Sequence, residues 1–292
     1  MNTQKMISII IPMYNAANTI EKCLDSILFS SNNQIEIITI DDCSFDSTAL
    51  IIEQKYKDKV IFLKNEHNEG PSYSRNKGLK IATGKYVCFV DADDCVSNEY
   101  VNTLIEKVHL NYDIVFFDYK NRKKMNFPLE RDKQLLFLFK YVLFGFTWNK
   151  MIKKEILDNN KIFYNVNQNY CEDQLFLFET MKFCNSIVYC PKKIYVYNDT
   201  PNSLSKKNHS KELLEMVYLQ KKSFFQTEKL LNSKEGVNIF SRYCMEMFLR
   251  SKMEKDTIIF EDYIKYKKNL KIKDKMLVIY NRFKYFYNKL IK

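Results

Sequence analysis

The sequence has little glycine and proline, with five of each among its 292 residues. Because 46% of the residues are hydrophobic and 15% are aromatic, this scarcity excludes disorder as the dominant state. Long apolar runs are also missing. The longest, 135–148, is interrupted by Lys140 and falls short of the ~20 residues of a membrane-spanning helix, which excludes a polytopic membrane protein. The start lacks the basic region and the small-residue cleavage site typical of a signal peptide.

The eight cysteines include no C-x-x-C pair. In a chain of this length, such spacing predicts reduced thiols in a cytoplasmic protein rather than a disulfide framework or a zinc site. The formal net charge of +11 favours polyanionic or membrane-surface partners.

Short apolar runs alternate with amphipathic stretches up to about residue 120. The pattern predicts strands at 7–11, 35–40, 60–63, 86–90 and 114–117, with helices at 19–29, 47–56, 73–81 and 98–109. Strands that alternate with helices predict an α/β fold, with a Rossmann-like, mostly parallel sheet flanked by helices. A polar basic link at 121–126 and a helical pattern from 211 onward divide the chain into predicted regions 1–120, 121–210 and 211–292.

Polar residues follow three of the predicted strands, at Pro12-Met-Tyr-Asn15, Asp41-Asp-Cys-Ser44 and Asp91-Ala-Asp-Asp94. Ligands of open parallel sheets bind beyond the carboxyl ends of the strands, so these groups are expected to share one edge. One such acid in a turn is usually a helix cap or an Asx turn, and that interpretation stays open for each of them.

Asp91 and Asp93 alternate along an extended segment, so their side chains are expected to face the same way. Two converging carboxylates favour a hard cation, Mg²⁺ or Mn²⁺, between them. The alternative is that Asp93 or Asp94 caps the following helix. The first strand is not followed by G-x-G-x-x-G, which excludes a dinucleotide-binding turn.

Four segments together resemble the family 2 glycosyltransferases, which have the GT-A fold. They are Ser8-Ile-Ile-Ile-Pro-Met-Tyr-Asn15, Ile38-Thr-Ile-Asp-Asp-Cys-Ser-Phe-Asp-Ser-Thr48, Asn68-Glu-Gly-Pro-Ser-Tyr-Ser-Arg-Asn-Lys-Gly78 and Phe89-Val-Asp-Ala-Asp-Asp94. The resemblance covers about 100 residues, with the motifs in the family's order. It implies transfer of a sugar, with inversion, from a nucleotide diphosphate donor that is usually linked to UDP.

The resemblance also implies roles on the donor side. Pro12, Tyr14 and Asp42 would hold the uracil, and Arg75 would lie near the diphosphate or shape its pocket. Asp91 and Asp93 form the D-x-D motif, with Asp93 and Asp94 on ribose and on Mn²⁺ or Mg²⁺. The adjoining Asn15 and Ala92 belong to the same expected donor site.

A catalytic base is expected in the second region, where Glu172 and Asp173 open an amphipathic helix. The three histidines lie in unfavourable contexts, and the acid pair resembles the family's Glu-Asp motif. The resemblance implies that Asp173 is the base and that Glu172 orients it or the acceptor. The alternative interpretation is that both acids only favour the positive end of the helix dipole.

The segment Trp148-Asn149-Lys150 resembles a family element on the acceptor side. Trp148 is the only tryptophan and is a candidate for stacking on an acceptor sugar, with a core position as the alternative. A later loop carries Asn198 and Asp199 where relatives often have Arg or His, which puts a phosphate contact there in doubt.

The C-terminal segment 263–292 carries ten Lys or Arg residues and one acid, interleaved with aromatic and aliphatic residues. Such a segment favours an anionic membrane surface. A solvated face packed on the protein is the alternative, and nucleic acid is not the expected partner.

The sequence therefore predicts a metal-assisted glycosyltransferase that moves a sugar from a UDP-sugar to a glycan or lipid-linked acceptor. It is expected in the cytoplasm, peripheral on the inner face of the plasma membrane. The alternative is a catalytically silent, membrane-associated protein that binds nucleotide sugars. A sugar-phosphate nucleotidylyltransferase is disfavoured because no Gly-rich, basic loop follows the first strand.

Overall fold

The computed structural model describes residues 5–120, 125–198, 209–251 and 258–271. Contacts divide the chain into two units, Met1–Phe127 with Leu143–Ser203, and Pro128–Val142 with Leu204–Lys292. These boundaries differ from the predicted ones at 120 and 210, because a short stretch in the middle of the chain belongs with the C-terminal residues.

The first unit contains a seven-stranded sheet. In chain order its strands are β1 (Ile7–Met13), β2 (Ile35–Asp41), β3 (Ile61–Lys64), β4 (Tyr86–Phe89), β6 (Ile114–Asp118), β7 (Lys150–Lys153) and β8 (Ile187–Lys193). The spatial order is β3-β2-β1-β4-β7-β6-β8, and β7 runs antiparallel to both of its neighbours while the other pairings are parallel. Two short strands, β5 (Cys95–Val96) and β9 (Tyr195–Val196), pair antiparallel in a second sheet.

Helices of the first unit connect these strands. They are α1 (Ile20–Leu28), α2 (Thr48–Ile51), α3 (Pro71–Ile81), α4 (Tyr100–Val108), α6 (Lys154–Asn159) and α7 (Glu172–Met181). The helix α1 buries Ile20, Cys23, Leu24 and Ile27 because an i, i+3, i+4, i+7 spacing places them on one face. The predicted helix at 47–56 is instead α2 followed by a π-helical turn, Ile52–Tyr56.

The central strands β1 and β2 are buried along their whole length except for Pro12. Strands covered on both faces in this way are typical of a parallel sheet between helices. Helix α3 crosses this sheet closely, because a Cβ on Gly78 would lie 2.5 Å from Ile10 Cγ2. The glycine thereby lets α3 approach the strand ends that carry the predicted site.

The second unit is helical in its described residues. It contains α5 (Arg131–Lys140), α8 (Lys211–Thr227), α9 (Lys234–Arg250) and α10 (Ile258–Tyr266). Its core is aromatic, with Phe139 against Phe225 at 4.6 Å between ring centroids and Phe225 against Phe240 at 5.3 Å. The buried Asp262 accepts hydrogen bonds from Tyr218 and Lys222.

Two findings concern the expected membrane association. Among the described residues, no helix is long and apolar enough to cross a membrane. The basic segment predicted to lie on a membrane surface falls mainly on 272–292, outside the described residues.

Candidate active site

The loops after β1 and β2 are joined by hydrogen bonds. The amide of Asn15 donates to Ser44 Oγ at 2.9 Å, and the amide of Phe45 donates to Asn15 Oδ1 at 3.0 Å. Asn15 has a φ of 49°, a left-handed conformation that Asn tolerates well. Asn15 therefore connects two loops of the predicted donor site. Beside it, Tyr14 and Phe45 form an exposed edge-to-face pair with centroids 5.8 Å apart.

Asp42, just after β2, is buried and takes three protein donors. Asn65 Nδ2 and the amide of Glu69 donate to Oδ1 at 2.7 and 3.0 Å, and the amide of Gly70 donates to Oδ2 at 2.7 Å. Gly70 has a φ of +85°, which a residue with a Cβ rarely adopts. The Asp42 carboxylate thus fixes the turn that begins α3, and about one of its four acceptor positions remains.

The three acids after β4, Asp91, Asp93 and Asp94, differ in burial and in hydrogen bonding. Asp94 is 1% exposed, and its carboxylate accepts from Tyr195 Oη and from the amide of Asn198, both at 2.7 Å. Both oxygens accept a hydrogen bond that ties β9 to the D-x-D turn, and the metal role expected of Asp94 stays a prediction. Ala92 is buried, whereas Asp91 and Asp93 are partly exposed.

Arg75 lies at the centre of the acidic cluster. Its Nη2 donates to Asp91 Oδ1 at 3.1 Å, and its Nη1 lies 3.3 Å from Asp173 Oδ1 and 3.6 Å from Glu172 Oε1. The guanidinium also lies 5.4 Å from the centroid of the Tyr164 ring. Arg75 is 5% exposed, so one buried cation connects the D-x-D turn to the predicted base. The family resemblance implied that Arg75 lies near the diphosphate or shapes its pocket, and it did not imply this ion cluster.

Helix α3 connects the two acid sites. Ser74 Oγ accepts from Asn65 Nδ2 at 3.0 Å, and the same amide nitrogen donates to Asp42. The next residue, Arg75, faces Asp91 and Asp173. The end of β2, the end of β4 and the start of α7 are thereby brought to one edge of the sheet.

Two members of the site were missed by sequence reasoning. Thr147 Oγ1 donates to Asp173 Oδ2 at 3.0 Å, and Tyr164 packs its ring on Phe176 at a centroid distance of 4.0 Å. The only signal for Thr147 was its position directly before Trp148. Nothing in the pattern around Tyr164 indicated a contact with an arginine that is 89 residues earlier.

Burial shifts the pKa values of two acids and one lysine in this region. Burial, followed by the neighbouring charge of Asp173, raises the pKa of Glu172 to about 7. Burial likewise raises the pKa of Asp94 to about 7, even though Asn198 and Tyr195 donate to it. Burial lowers the pKa of Lys150 to about 7. Glu172 and Asp94 therefore hold a proton more readily than ordinary carboxyl groups do, and Lys150 gives one up more readily than an ordinary lysine.

The predicted acceptor residues lie inside the protein. Trp148 is 6% exposed and stacks on Tyr195 at a centroid distance of 4.3 Å and on Phe146 at 4.8 Å. Asn149 donates to the Leu143 carbonyl, and Lys150 donates to Asn149. All three side chains are buried, which fits the alternative of a core position for Trp148. The expected contact of Trp148, Asn149 and Lys150 with an acceptor stays a prediction.

Asp91 and Asp93 can hold a divalent cation only if a substrate supplies the other ligands. No group of three or more His, Cys, Asp or Glu side chains in the described ranges is arranged to hold a metal. Mg²⁺ and similar ions need no such cage when one or two carboxylates and substrate phosphates complete the shell. Asp91 and Asp93, partly exposed at the strand edge, supply that donor type.

A mostly parallel sheet with an acid-rich carboxyl edge, a D-x-D turn and a helical extension defines a transferase of the GT-A class. The family described as glycosyl transferase family 2 matches residues 8–179. That match spans more than half of the chain, and the chain therefore belongs to this family.

One individual relative agrees with that assignment. The chain is 29% identical over 265 residues to EpsJ, an uncharacterized glycosyltransferase of Bacillus subtilis (strain 168), which covers 84% of this chain and 77% of the relative.

Two solved structures share the fold. Staphylococcus aureus TarS 1–349 in complex with UDP-GlcNAc matches with a TM-score of 0.66 and 22% identity, covering 97% of this chain and 89% of that one. Mycobacterium tuberculosis glucosyl-3-phosphoglycerate synthase, in complex with Mn²⁺, UDP and glucosyl-3-phosphoglycerate, matches at 0.52 and 18%, covering 74% and 80%.

Proposed function

We propose that this glycosyltransferase moves a sugar from a UDP-sugar to a hydroxyl of a glycan or lipid-linked acceptor, with inversion and with a divalent cation. The observation that carries the proposal is the position of Arg75 between Asp91 and Asp173. One guanidinium bridges the acid of the D-x-D motif and the acid at the start of α7, so the donor phosphates and a base would lie on either side of it.

The donor would occupy the edge formed by the ends of β1, β2 and β4. Tyr14, 44% exposed, offers a ring face for the uracil beside Pro12, and Asp42 retains an acceptor position for a base N–H. The UDP and UDP-GlcNAc complexes of proteins with this fold support a uridine donor.

Asp91 and Asp93 would hold Mn²⁺ or Mg²⁺ together with the donor diphosphate. When bound, the cation neutralises negative charge that develops on the departing UDP. The Mn²⁺ complex of the mycobacterial synthase supports this part of the proposal. Arg75 supplies a fixed positive charge at the same edge.

Asp173 would act as the general base. Its carboxylate takes the proton of the acceptor hydroxyl while the acceptor oxygen bonds to the anomeric carbon. The bond from that carbon to the diphosphate oxygen breaks, and UDP leaves with the electron pair. Attack opposite the leaving group inverts the anomeric centre. Glu172, whose pKa burial raises to about 7, would orient Asp173 or the acceptor and carries a proton for part of the time at neutral pH.

The acceptor class and the location at a membrane rest on the sequence. The basic C-terminal segment favours a lipid-linked acceptor at an anionic surface. Co-sedimentation with anionic liposomes should fall when residues 272–292 are deleted, and unchanged co-sedimentation would argue against membrane docking.

UDP release from a panel of UDP-sugars, with mass spectrometry of the products, tests the transfer. We expect product only with a divalent cation and an acceptor. A catalytically silent binding protein would shift its melting temperature with UDP and Mn²⁺ yet release no UDP. Absence of both the shift and the release would refute the proposed donor site.

A further inference from the structure

The carboxylate of Asp173 is held at two points by two different elements. Arg75 on α3 contacts Oδ1 at 3.3 Å, and the Thr147 hydroxyl donates to Oδ2 at 3.0 Å. The terminal torsion of an aspartate is broad, so one contact leaves the carboxylate free to rotate about its axis. Two contacts on different oxygens fix its plane.

The contact with Arg75 cannot by itself fix the plane of the Asp173 carboxylate. The same guanidinium is shared with Asp91 and Glu172, at 3.1 and 3.6 Å. A donor diphosphate or cation at Asp91 would redistribute the charges around Arg75. The contact to Oδ1 is therefore the one that changes when the proposed donor binds.

Thr147 is built into a stiff segment. It is 2% exposed, and a β-branched side chain has restricted χ1. Trp148 next to it is stacked between Tyr195 and Phe146, and the amide of Phe117 donates to the carbonyl of Asn149 at 2.9 Å. The hydroxyl thus reaches Asp173 from a segment anchored in the sheet, and this contact does not involve the Arg75 guanidinium.

We infer that Thr147 is a positioning residue for the catalytic base: its hydroxyl holds the Asp173 carboxylate in the plane needed to accept the proton of the acceptor hydroxyl. The inference rests on the proposed function. It predicts an effect on the chemical step and none on donor binding, since Thr147 contacts neither Asp91 nor Asp93 by any hydrogen bond found in the described residues. Misplacement of a catalytic group by about 1 Å costs on the order of 10²-fold in rate.

Thr147→Val removes the hydroxyl and nearly preserves the side-chain shape. We expect kcat to fall by roughly 10- to 100-fold, while the donor KM and the Kd for UDP stay within about 2-fold. Thr147→Ser keeps the hydroxyl and should restore kcat to within about 3-fold of the wild type. Thr147→Ala is a second hydroxyl-free variant in case Thr147→Val does not fold.

The matched control is Thr180→Val, on the same helix as the base. Thr180 is fully buried, and its hydroxyl donates to the Phe176 carbonyl at 2.8 Å rather than to Asp173. This variant should keep kcat although it also loses a buried hydroxyl. A loss of kcat in Thr147→Ser equal to that in the hydroxyl-free variants, or an equal loss in Thr180→Val, would show a packing effect and overturn the inference.

Failure of the inference on Thr147 can be distinguished from failure of the proposed function. If wild type releases UDP and Asp173→Asn does not, while Thr147→Val and Thr147→Ala turn over like wild type, the inference on Thr147 is overturned and the proposed function stands. If the wild type releases no UDP with any acceptor or with water, the proposed function is overturned, and the inference with it.

Discussion

The two acid sites at the carboxyl edge of the sheet are built in opposite ways. At the end of β2, a single carboxylate, Asp42, receives three donors from the protein. At the end of β4 and the start of α7, three carboxylates share one cation, Arg75. The first site has protein donors for three of its four acceptor positions. The second is short of positive charge.

This difference teaches how to separate structural from functional acids in one crevice. A buried carboxylate with matched donors is worth most as a stabiliser of its loop, since each lost bond leaves buried donors unpaired. Burial, and then the charge of Asp173, raises the pKa of Glu172 to about 7, and burial also raises the pKa of Asp94 to about 7. The number of protein donors, rather than the pKa, therefore separates the two classes of acid. Asp94, which binds Tyr195 and Asn198, belongs with Asp42 in the first class.

The largest expected effect is on turnover at the charge-poor site. Asp173→Asn removes the proposed base and should lower kcat by about 10²- to 10⁴-fold, the usual range for a general base. UDP binding should persist, and the free energy of unfolding should change by less than about 1 kcal/mol, because one of three crowded acids is removed. Initial rates of UDP release and urea unfolding measure the two quantities.

Glu179→Gln provides the control on the same helix, where Glu179 forms an exposed ion pair with Lys182. It should leave both quantities unchanged. Undiminished turnover in Asp173→Asn would remove Asp173 from the role of base.

The next largest effect is on stability, at the shared cation. Arg75→Met leaves Asp91, Glu172 and Asp173 without the cation that they share, and leaving buried charges without a counter-ion costs about 3 to 5 kcal/mol. Urea unfolding at pH 8 measures this loss. Lys80→Met, an exposed position on the same helix, should stay within about 0.5 kcal/mol. Equal stability of the two variants would contradict the central role of Arg75.

A smaller loss of stability is expected at Asp42, the acid with three protein donors. Asp42→Asn replaces one acceptor oxygen by an amide that faces the donors from Asn65 or Gly70, and about 2 to 4 kcal/mol of unfolding free energy should be lost. Chemical denaturation checks the value, with the exposed Asp58→Asn as control. If Asp42→Asn were as stable as Asp58→Asn, the distinction between the two acid sites would not hold.

The last expected effect is a change of stability with pH. The folded-state pKa of Glu172 lies at about 7, above the value of about 4.3 in an unfolded chain, so the folded state binds the proton more tightly. The contribution of Glu172 to the free energy of unfolding should therefore fall as pH rises from about 4.3 to about 7, by at most about 1.4 kcal/mol per pH unit, and the raised pKa of Asp94 adds to the slope in the same range. Glu172→Gln should flatten that part of the profile in metal-free buffer. If Glu172→Gln had the same slope as the wild type, the raised proton affinity would belong to a group other than Glu172.

Much of the first unit could be predicted from local patterns. Strands β1, β2 and β4 and helices α1 and α4 lie where the periodicity predicts them, within two residues at each end. Strands β7 and β8 were missed, because no strand was predicted beyond residue 120. Strand β7 contains only Met151 and Ile152 between two lysines, so its extended conformation comes from pairing with β4 and β6 rather than from its own pattern.

The candidate site, like the fold, could be predicted only in part from the sequence. The motifs brought Tyr14, Asp42, Asp91, Asp93 and Asp173 into consideration, but they do not distinguish a free carboxylate from an occupied one. Trp148 shows this limit, because a lone tryptophan in a family element looks the same whether it faces a sugar or stacks between Tyr195 and Phe146.

The order of apolar runs and acidic turns along the chain determined the α/β architecture and the edge where the acids collect, because strand periodicity and the end of each strand are local properties. The pairing of acids with cations was decided by tertiary structure alone. Arg75 and Asp173 are 98 residues apart, and Thr147 and Asp173 are 26 apart. Charge and hydrogen-bond complementarity between them exist only after the sheet has brought their elements to within about 3 Å.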